Sequence, residues 1–200
     1  MNSSITKEEV KNLIKNRRSI YPISFDPEKK IENEVIKELL ELAVWAPNHG
    51  HTEPWEFKVF YGKGVLTFFE KMKEIYKETT PTDKFKQTKY DKYTSKASQV
   101  SHVIALCMRR GNKENIPEIE EIEATACVAE NIYIGMKPFG IAGYLSTGDI
   151  CYTRQLKDFL GLGQNDHCVG FFQLGILREG LSLPDRKRIP AADKTTWISD

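Results

Sequence analysis

No run of 18 apolar residues occurs anywhere in the 200-residue chain, so the sequence offers no helix able to cross a membrane. Charge of one sign is also lacking. The 29 Lys and Arg face 28 Asp and Glu, for a formal net charge of +1, too little for a global field that gathers nucleic acid or an anionic surface. Cysteine is sparse: Cys107, Cys127, Cys151 and Cys168 are widely spaced and no two form a C-x-x-C pair, which points to a reducing compartment and no structural metal. Cys107 and Cys168 lie in apolar runs, where a thiol behaves as a small hydrophobe. A Ser/His/Asp order, a nucleophile elbow and the G-x-G-x-x-G spacing are missing too. The first nine residues have no apolar stretch of the secretory kind, so a cytoplasmic protein is expected. With 40% hydrophobic and 28% charged residues, the composition is that of an ordinary globular chain, expected to form one domain over residues 1–200.

What is present centres on one loop, Ala46-Pro47-Asn48-His49-Gly50-His51-Thr52-Glu53-Pro54-Trp55. Two prolines, a glycine and an asparagine forbid helix and discourage a paired strand. The result is a rigid, polar-lined bend ending in tryptophan, either a plain connection or a surface that grips a flat ligand. His49 and His51 stand at i, i+2 without further ligands, so no metal site is indicated.

On the N-terminal side, Thr6-Lys7-Glu8-Glu9 is a capping-box pattern. It opens a helix expected from Lys7 to Asn16, with Val10, Leu13 and Ile14 as its inner face. Arg17 and Arg18 close it, where cations suit the helix dipole. Phe25-Asp26-Pro27 reads as a surface connection into a second helix, Asn33 to Trp45, with Val35, Ile36, Leu39, Leu40 and Ala43 inward. Beyond the loop, Phe57 to Tyr61 reads as a strand, followed by a helix carrying Leu66, Phe69, Met72 and Ile75. The stretch from Thr79 to Ser98, rich in lysine with Phe85, Tyr90 and Tyr93, is too long for an ordinary connection. It is either a solvated helix with its aromatics inward or a flap over a pocket. His102 to Met108 is a buried strand, and Pro117 at a helix N1 position starts a helix running to Lys137 with a small-residue centre, Ala124 to Ala129. A glycine-rich segment, Phe139 to Gly148, lets backbone approach a ligand at Gly140 and Gly143. A short helix to Leu160, a strand from His167 to Leu174 and a basic, proline-bounded tail complete the chain.

Arg17-Arg18-Ser19 after the first helix, the second helix, and the Ala-Pro…Pro-Trp loop together resemble the nitroreductase family of FMN-dependent oxidoreductases. The family usually reads Ala-Pro-Ser-Ser-x-Asn-x-Gln-Pro-Trp here. Ala46, Pro47, Thr52, Pro54 and Trp55 match, Asn48 and His49 replace the serines, His49 as in the compact branch, and His51 and Glu53 depart from the pattern, replacing the asparagine and the glutamine. The resemblance runs from Arg17 to Gly175. It implies an α+β fold, a nitroreductase-like α/β/α sandwich with a mostly antiparallel central sheet flanked by helices, homodimeric, with FMN between subunits. Arg17, Arg18 and Ser19 are then candidates for the phosphate and ribityl chain, since a guanidinium fork takes two phosphate oxygens at once. Ala142, Gly143, Leu145, Ser146 and Thr147 become contacts along the flavin, and Arg188 a phosphate contact. His49 becomes a donor at the pyrimidine edge, and Trp45 or Trp55 a wall for the ring. The implied activity is transfer of hydride from NADH or NADPH through flavin N5 to a small-molecule acceptor such as a nitroaromatic or quinone, by a ping-pong route. In such an enzyme the protein positions the cofactor and tunes it. Two other classes stay open: a flavin-binding protein without turnover, and a nucleic-acid module resting on the lysine-rich middle and the Arg186 to Arg188 tail.

Overall fold

The computed structural model describes residues 5–183 and 185–199. Four strands, β1 (Trp55–Tyr61), β2 (His102–Met108), β3 (Ala142–Ser146) and β4 (His167–Gly175), form one sheet in the order β1-β2-β4-β3. Every pairing is antiparallel. Six α-helices cover it among the described residues: α1 (Lys7–Lys15), α2 (Asn33–Ala43), α3 (Lys63–Thr79), α4 (Gln87–Gln99), α5 (Glu118–Met136) and α6 (Arg154–Leu160). The expected antiparallel α+β fold is therefore present, and none of these helices is long and apolar enough to cross a membrane.

The layers follow from the two-residue period of a strand. Along β2, Val103, Ala105 and Cys107 face a core built with Phe68, Phe69 and Met72 of α3. Ile104 and Leu106 face the opposite core, with Leu39 of α2 and Val128 and Ile132 of α5. Because both faces are covered, β2 reads as an unbroken apolar run, and its helices pack on either side as two outer layers.

Several helix ends match their sequence signals. The capping box forms: Thr6 Oγ1 accepts from the Glu9 N–H at 3.2 Å while Glu9 accepts from the Thr6 N–H at 2.8 Å. Gly161 closes α6 at φ +67, the left-handed cap for which glycine carries no Cβ penalty. Pro117 sits one residue earlier than expected, at the N-cap of α5. The lysine-rich middle resolves into a one-turn helix and α4, with Phe85 stacked on Tyr76 at 5.2 Å and Tyr93 packed on the α3 core. The stretch is helical with these aromatics toward α3, and it also walls a pocket.

Two expectations fail. Phe25 is not on a surface connection: it is fully buried and bridges to Leu177, and a Cβ at Gly175 would lie 2.5 Å from its ring. Conversely, Val10 and Ile14 are 43% and 52% exposed. The amphipathic stripe of α1 is real, but within one chain it has no partner.

Candidate functional site

After α1, the chain runs beside the edge strand β3, where the Ile20 N–H donates to the Gly143 carbonyl at 2.9 Å. This bond sets Arg17, Arg18 and Ser19 against β3. Tyr133, reaching out of α5, joins the two segments: its Oη accepts the Leu145 N–H at 2.7 Å and shares a 3.1 Å hydrogen bond with Ser19 Oγ. The Arg17 guanidinium lies 4.5 Å from the Tyr133 ring centroid, a cation–π contact that holds it over the ring. Its Nε is 3.8 Å from Glu130 Oε1, beyond hydrogen-bond range. The fork of donors on Arg17 therefore remains available to an anion.

Arg18 behaves differently. Its Nη1 donates to the Lys15 carbonyl at 2.8 Å and the Arg17 carbonyl at 3.0 Å, satisfying a C-terminal helix carbonyl that has no partner within α1. Both arginines line a pocket of about 400 Å³ together with Tyr133, Ala142 and Gly143. Gly143 is there for closeness: an added Cβ would sit 2.5 Å from Leu174 and 2.9 Å from the Gln173 carbonyl.

Ser146 and Thr147 belong to a second, larger pocket of about 660 Å³ between α3, α4 and the turn following β3. Tyr144 stands between the two, with Tyr21 at 4.7 Å between ring centroids and Lys96 Nζ donating to its hydroxyl at 3.0 Å. Tyr93 lines the larger pocket, and burial pushes its phenol up to about 12, with neighbouring Tyr76 adding to the shift. It is an uncharged group at neutral pH. The Cys168 thiol is pushed up by hydrogen bonds with Cys107 and Cys151 and by burial, the direction that disfavours a reactive thiolate.

The sequence of residues 14–176 matches the model of the Nitroreductase family. The chain belongs to the nitroreductase family. It is thus an oxidoreductase by family, and similar proteins agree along nearly its full length. YfhC of Bacillus subtilis, whose name assigns it provisionally as an NAD(P)H nitroreductase, is 24% identical over 94% of this chain and 93% of its own. A nitroreductase-like family protein from Bacillus cereus has the same fold, with a TM-score of 0.80 at 23% identity over 100% of both chains. The FMN-dependent nitroreductase NfnB from Mycobacterium smegmatis, solved with NADPH, superposes at a TM-score of 0.71 with 19% identity, over 95% of this chain and 98% of that one.

Within this nitroreductase the remaining candidates are not gathered at β3. Trp45 is 84% exposed just beyond α2. His49 is exposed in the loop, its Nδ1 2.5 Å from Glu120 Oε2 of α5. Arg188 is exposed, and its side chain donates to the adjacent Lys187 carbonyl at 3.1 Å. None of the three lines either pocket. The loop is tied down at several points: His51 and Glu53 hold φ of +53 and +44, Lys113 donates to the Gly50 carbonyl, and the Arg109 N–H donates to the Pro54 carbonyl at 2.7 Å. Beneath it, buried Glu121 pairs with Arg110 and accepts from the Gly111 N–H at 3.2 Å.

Sequence reasoning missed Tyr133, Gln173 and the Arg110–Glu121 pair. Glu121 carried a usable signal, since it falls in the helix repeat that also contains the small inward residues of α5. Tyr133 carried none, because only the fold reveals that its hydroxyl reaches β3.

Proposed function

We propose that this nitroreductase binds FMN along β3 and moves reducing equivalents from NADH or NADPH to a small-molecule acceptor. The observation that carries this reading is the junction at Tyr133, which holds an arginine with free donors, a serine hydroxyl and the β3 backbone in one wall. Such a donor set suits a phosphate: Arg17 offers a charged fork and Ser19 a hydroxyl, and charge-assisted bonds of this kind are roughly twice as strong as neutral ones. Ala142 and Gly143 offer backbone at close approach beside them. Leu145, Ser146 and Thr147 continue the wall toward the larger pocket, where a flat ring would lie against the strand end.

Bound there, FMN would supply the hydride-accepting and hydride-donating chemistry, with the nicotinamide and the acceptor occupying the same site in turn. The chain's own part is to hold, orient and shield. No acid–base side chain is required of it. His49 and Trp45, exposed and outside both pockets, would serve a second subunit rather than their own. Exposed Val10 and Ile14 on α1 and exposed Ala126 and Cys127 on α5 support a homodimer that covers them and brings His49 and Trp45 to the partner's flavin. Arg188 would join the phosphate in the same assembly. We further propose one functional domain across residues 1–200 and a cytoplasmic setting. Neither a nucleic-acid nor a membrane partner is part of this reading.

The test is the visible absorption spectrum of the purified protein, with chromatography of what denaturation releases. FMN in the released fraction, and bleaching on anaerobic addition of NADH or NADPH, is the expected result. A colourless protein that takes up no FMN would overturn the reading. A flavin that does not bleach would leave a binding protein without turnover.

A further inference from the structure

Three of the four cysteines meet on one side of the sheet. Cys107 on β2, Cys168 on β4 and Cys151 in the one-turn helix Asp149–Tyr152 belong to the same core and are 0%, 3% and 2% exposed. The strand period alone would not put Cys168 there. Phe172 and Leu174 face the core of α2 and α5, and even steps back along β4 would turn Cys168 the same way. A bulge intervenes: Leu106 pairs with Gly170, but its neighbour Cys107 pairs with Cys168. The extra residue, Val169, packs on the α2 and α5 side instead. Bulges re-aim side chains in this way, and this one sets Cys168 directly opposite Cys107. Cys168 is hydrogen-bonded to both other thiols. Among the described residues no three His, Cys, Asp or Glu side chains are placed to hold a metal ion, so the chemistry open to this cluster joins sulfurs in pairs. The thiols are not equivalent. The hydrogen bond with Cys168 holds Cys151 below its ordinary value against the effect of burial, and the Gly148 backbone adds to it, whereas Cys168 is pushed up.

We propose that Cys151 and Cys168 form a reversible disulfide when a hydroperoxide oxidises Cys151, and that this bond locks the Asp149–Tyr152 turn onto β4. The Cys151 thiolate attacks the peroxide, the O–O bond breaks, and the departing oxygen takes up a proton and leaves as an alcohol. Cys151 becomes a sulfenic acid. The Cys168 sulfur then attacks the Cys151 sulfur, the S–O bond breaks, and the oxygen leaves as water with the Cys168 proton. Two thiols and one hydroperoxide become one disulfide, one water and one alcohol, the alcohol being a second water when the oxidant is hydrogen peroxide. The neutral sulfenic acid removes the charge on Cys151 that opposes a thiolate at Cys168, which favours the second step. Gly148, Asp149 and Ile150 line the larger pocket, so a small oxidant in the pocket reaches the turn that carries Cys151, and the bond stiffens that wall. The device operates without bound flavin.

The experiment treats the full-length protein with hydrogen peroxide, blocks the remaining thiols with iodoacetamide and maps disulfides by peptide mass spectrometry. Cys127→Ser is carried throughout to remove the exposed thiol. The expected product is an intramolecular Cys151–Cys168 bond that dithiothreitol reverses, in a protein whose circular dichroism is unchanged. Amide hydrogen exchange at residues 148–152 should slow about tenfold in the oxidised form, because local opening of the turn is then restrained. Cys168→Ala should stop at the sulfenic acid, which dimedone traps on Cys151, and Cys107→Ala should still form the bond. A folded protein that keeps both thiols reduced would overturn the proposal, as would a Cys107–Cys168 bond in its place or a Cys151–Cys168 bond that leaves amide exchange unchanged. If the alanine variants do not fold, the disulfide map and the exchange rates of the parent protein decide it alone. Neither readout requires FMN, so a colourless protein tests the proposal equally well.

Discussion

The Leu145 backbone N–H donates to the Tyr133 hydroxyl at 2.7 Å, so a helix side chain completes the unpaired edge of the sheet at the point where the candidate site begins. Edge strands leave N–H groups without partners, and here one is satisfied by a residue that also engages Ser19. Tyr133→Phe is expected to keep the fold, because the ring still packs on Phe172 at 5.1 Å. It strands a half-buried N–H at a cost of about 1–3 kcal/mol. Urea denaturation reads that loss, and equilibrium dialysis of FMN should show weaker binding as Ser19 loses its orientation. An unchanged denaturation midpoint would show that water replaces the hydroxyl.

The Arg110–Glu121 pair is expected to matter more than any surface pair. Glu121 is 1% exposed, and Arg110 also donates to the Ile116 carbonyl at 2.5 Å, so the pair fixes the turn that supports the Gly50 loop. Arg110→Ala leaves a buried carboxylate uncompensated, for a loss of about 3–5 kcal/mol. The double variant Arg110→Met, Glu121→Leu should recover most of it, because apolar groups of similar size replace a buried pair at little cost. Thermal unfolding of the two proteins checks both halves.

His102 gives the fold an acid sensitivity. Burial holds its imidazole below its ordinary value, and its ring nitrogens already engage Ser101 Oγ at 3.0 Å and Asn33 Oδ1 at 2.9 Å. In the unfolded chain the ring takes a proton near pH 6.5, while in the folded protein it resists until lower pH. The unfolded state thus binds more protons below about pH 6.5, and stability falls with pH there, by at most about 1.4 kcal/mol per unit. Above that range both states are neutral and His102 adds no pH dependence. Unfolding free energies at pH 7.5 and 5.5 should differ more for the native protein than for His102→Gln, and equal differences would assign the sensitivity elsewhere.

The fold was legible where a pattern repeats. The alternation in β2, the α2 and α3 stripes, the capping box at Thr6 and the glycine after α6 each arise from local chemistry that three to seven residues express. Phe25 was misread because Asp26 and Pro27 mark a turn regardless of what the preceding side chain does. Only the approach of Gly175, some 150 positions later, makes its pocket. Val10 and Ile14 show the opposite limit: period alone tells that a face is apolar, and nothing in one chain tells what covers it. The proximity of Arg17, Ser19 and the β3 segment, each named from the sequence, is what the fold supplies at Tyr133. The scaffold of the site, Tyr133 and Gln173, depends on contacts between elements far apart in sequence and had no local signature.

The sharpest prediction falls on Arg17. Its guanidinium is held over Tyr133 without a hydrogen-bonded carboxylate, so removing it breaks one cation–π pair, about 0.5–1 kcal/mol at a part-exposed site, and one long, part-exposed ion pair with Glu130, worth about 0–1 kcal/mol. Arg17→Ala should therefore remain folded with a small shift in thermal midpoint. FMN affinity should fall far more, because a charge-assisted bond is worth roughly 1.5–3 kcal/mol, about ten- to a hundredfold. Arg17→Lys separates charge from geometry: lysine restores a point charge but not the planar fork, so its FMN affinity should lie between the two. Fluorescence titration of FMN against the three proteins decides the matter. If all three bind FMN equally well, Arg17 is a stabilising cation at the end of α1 and the phosphate lies elsewhere.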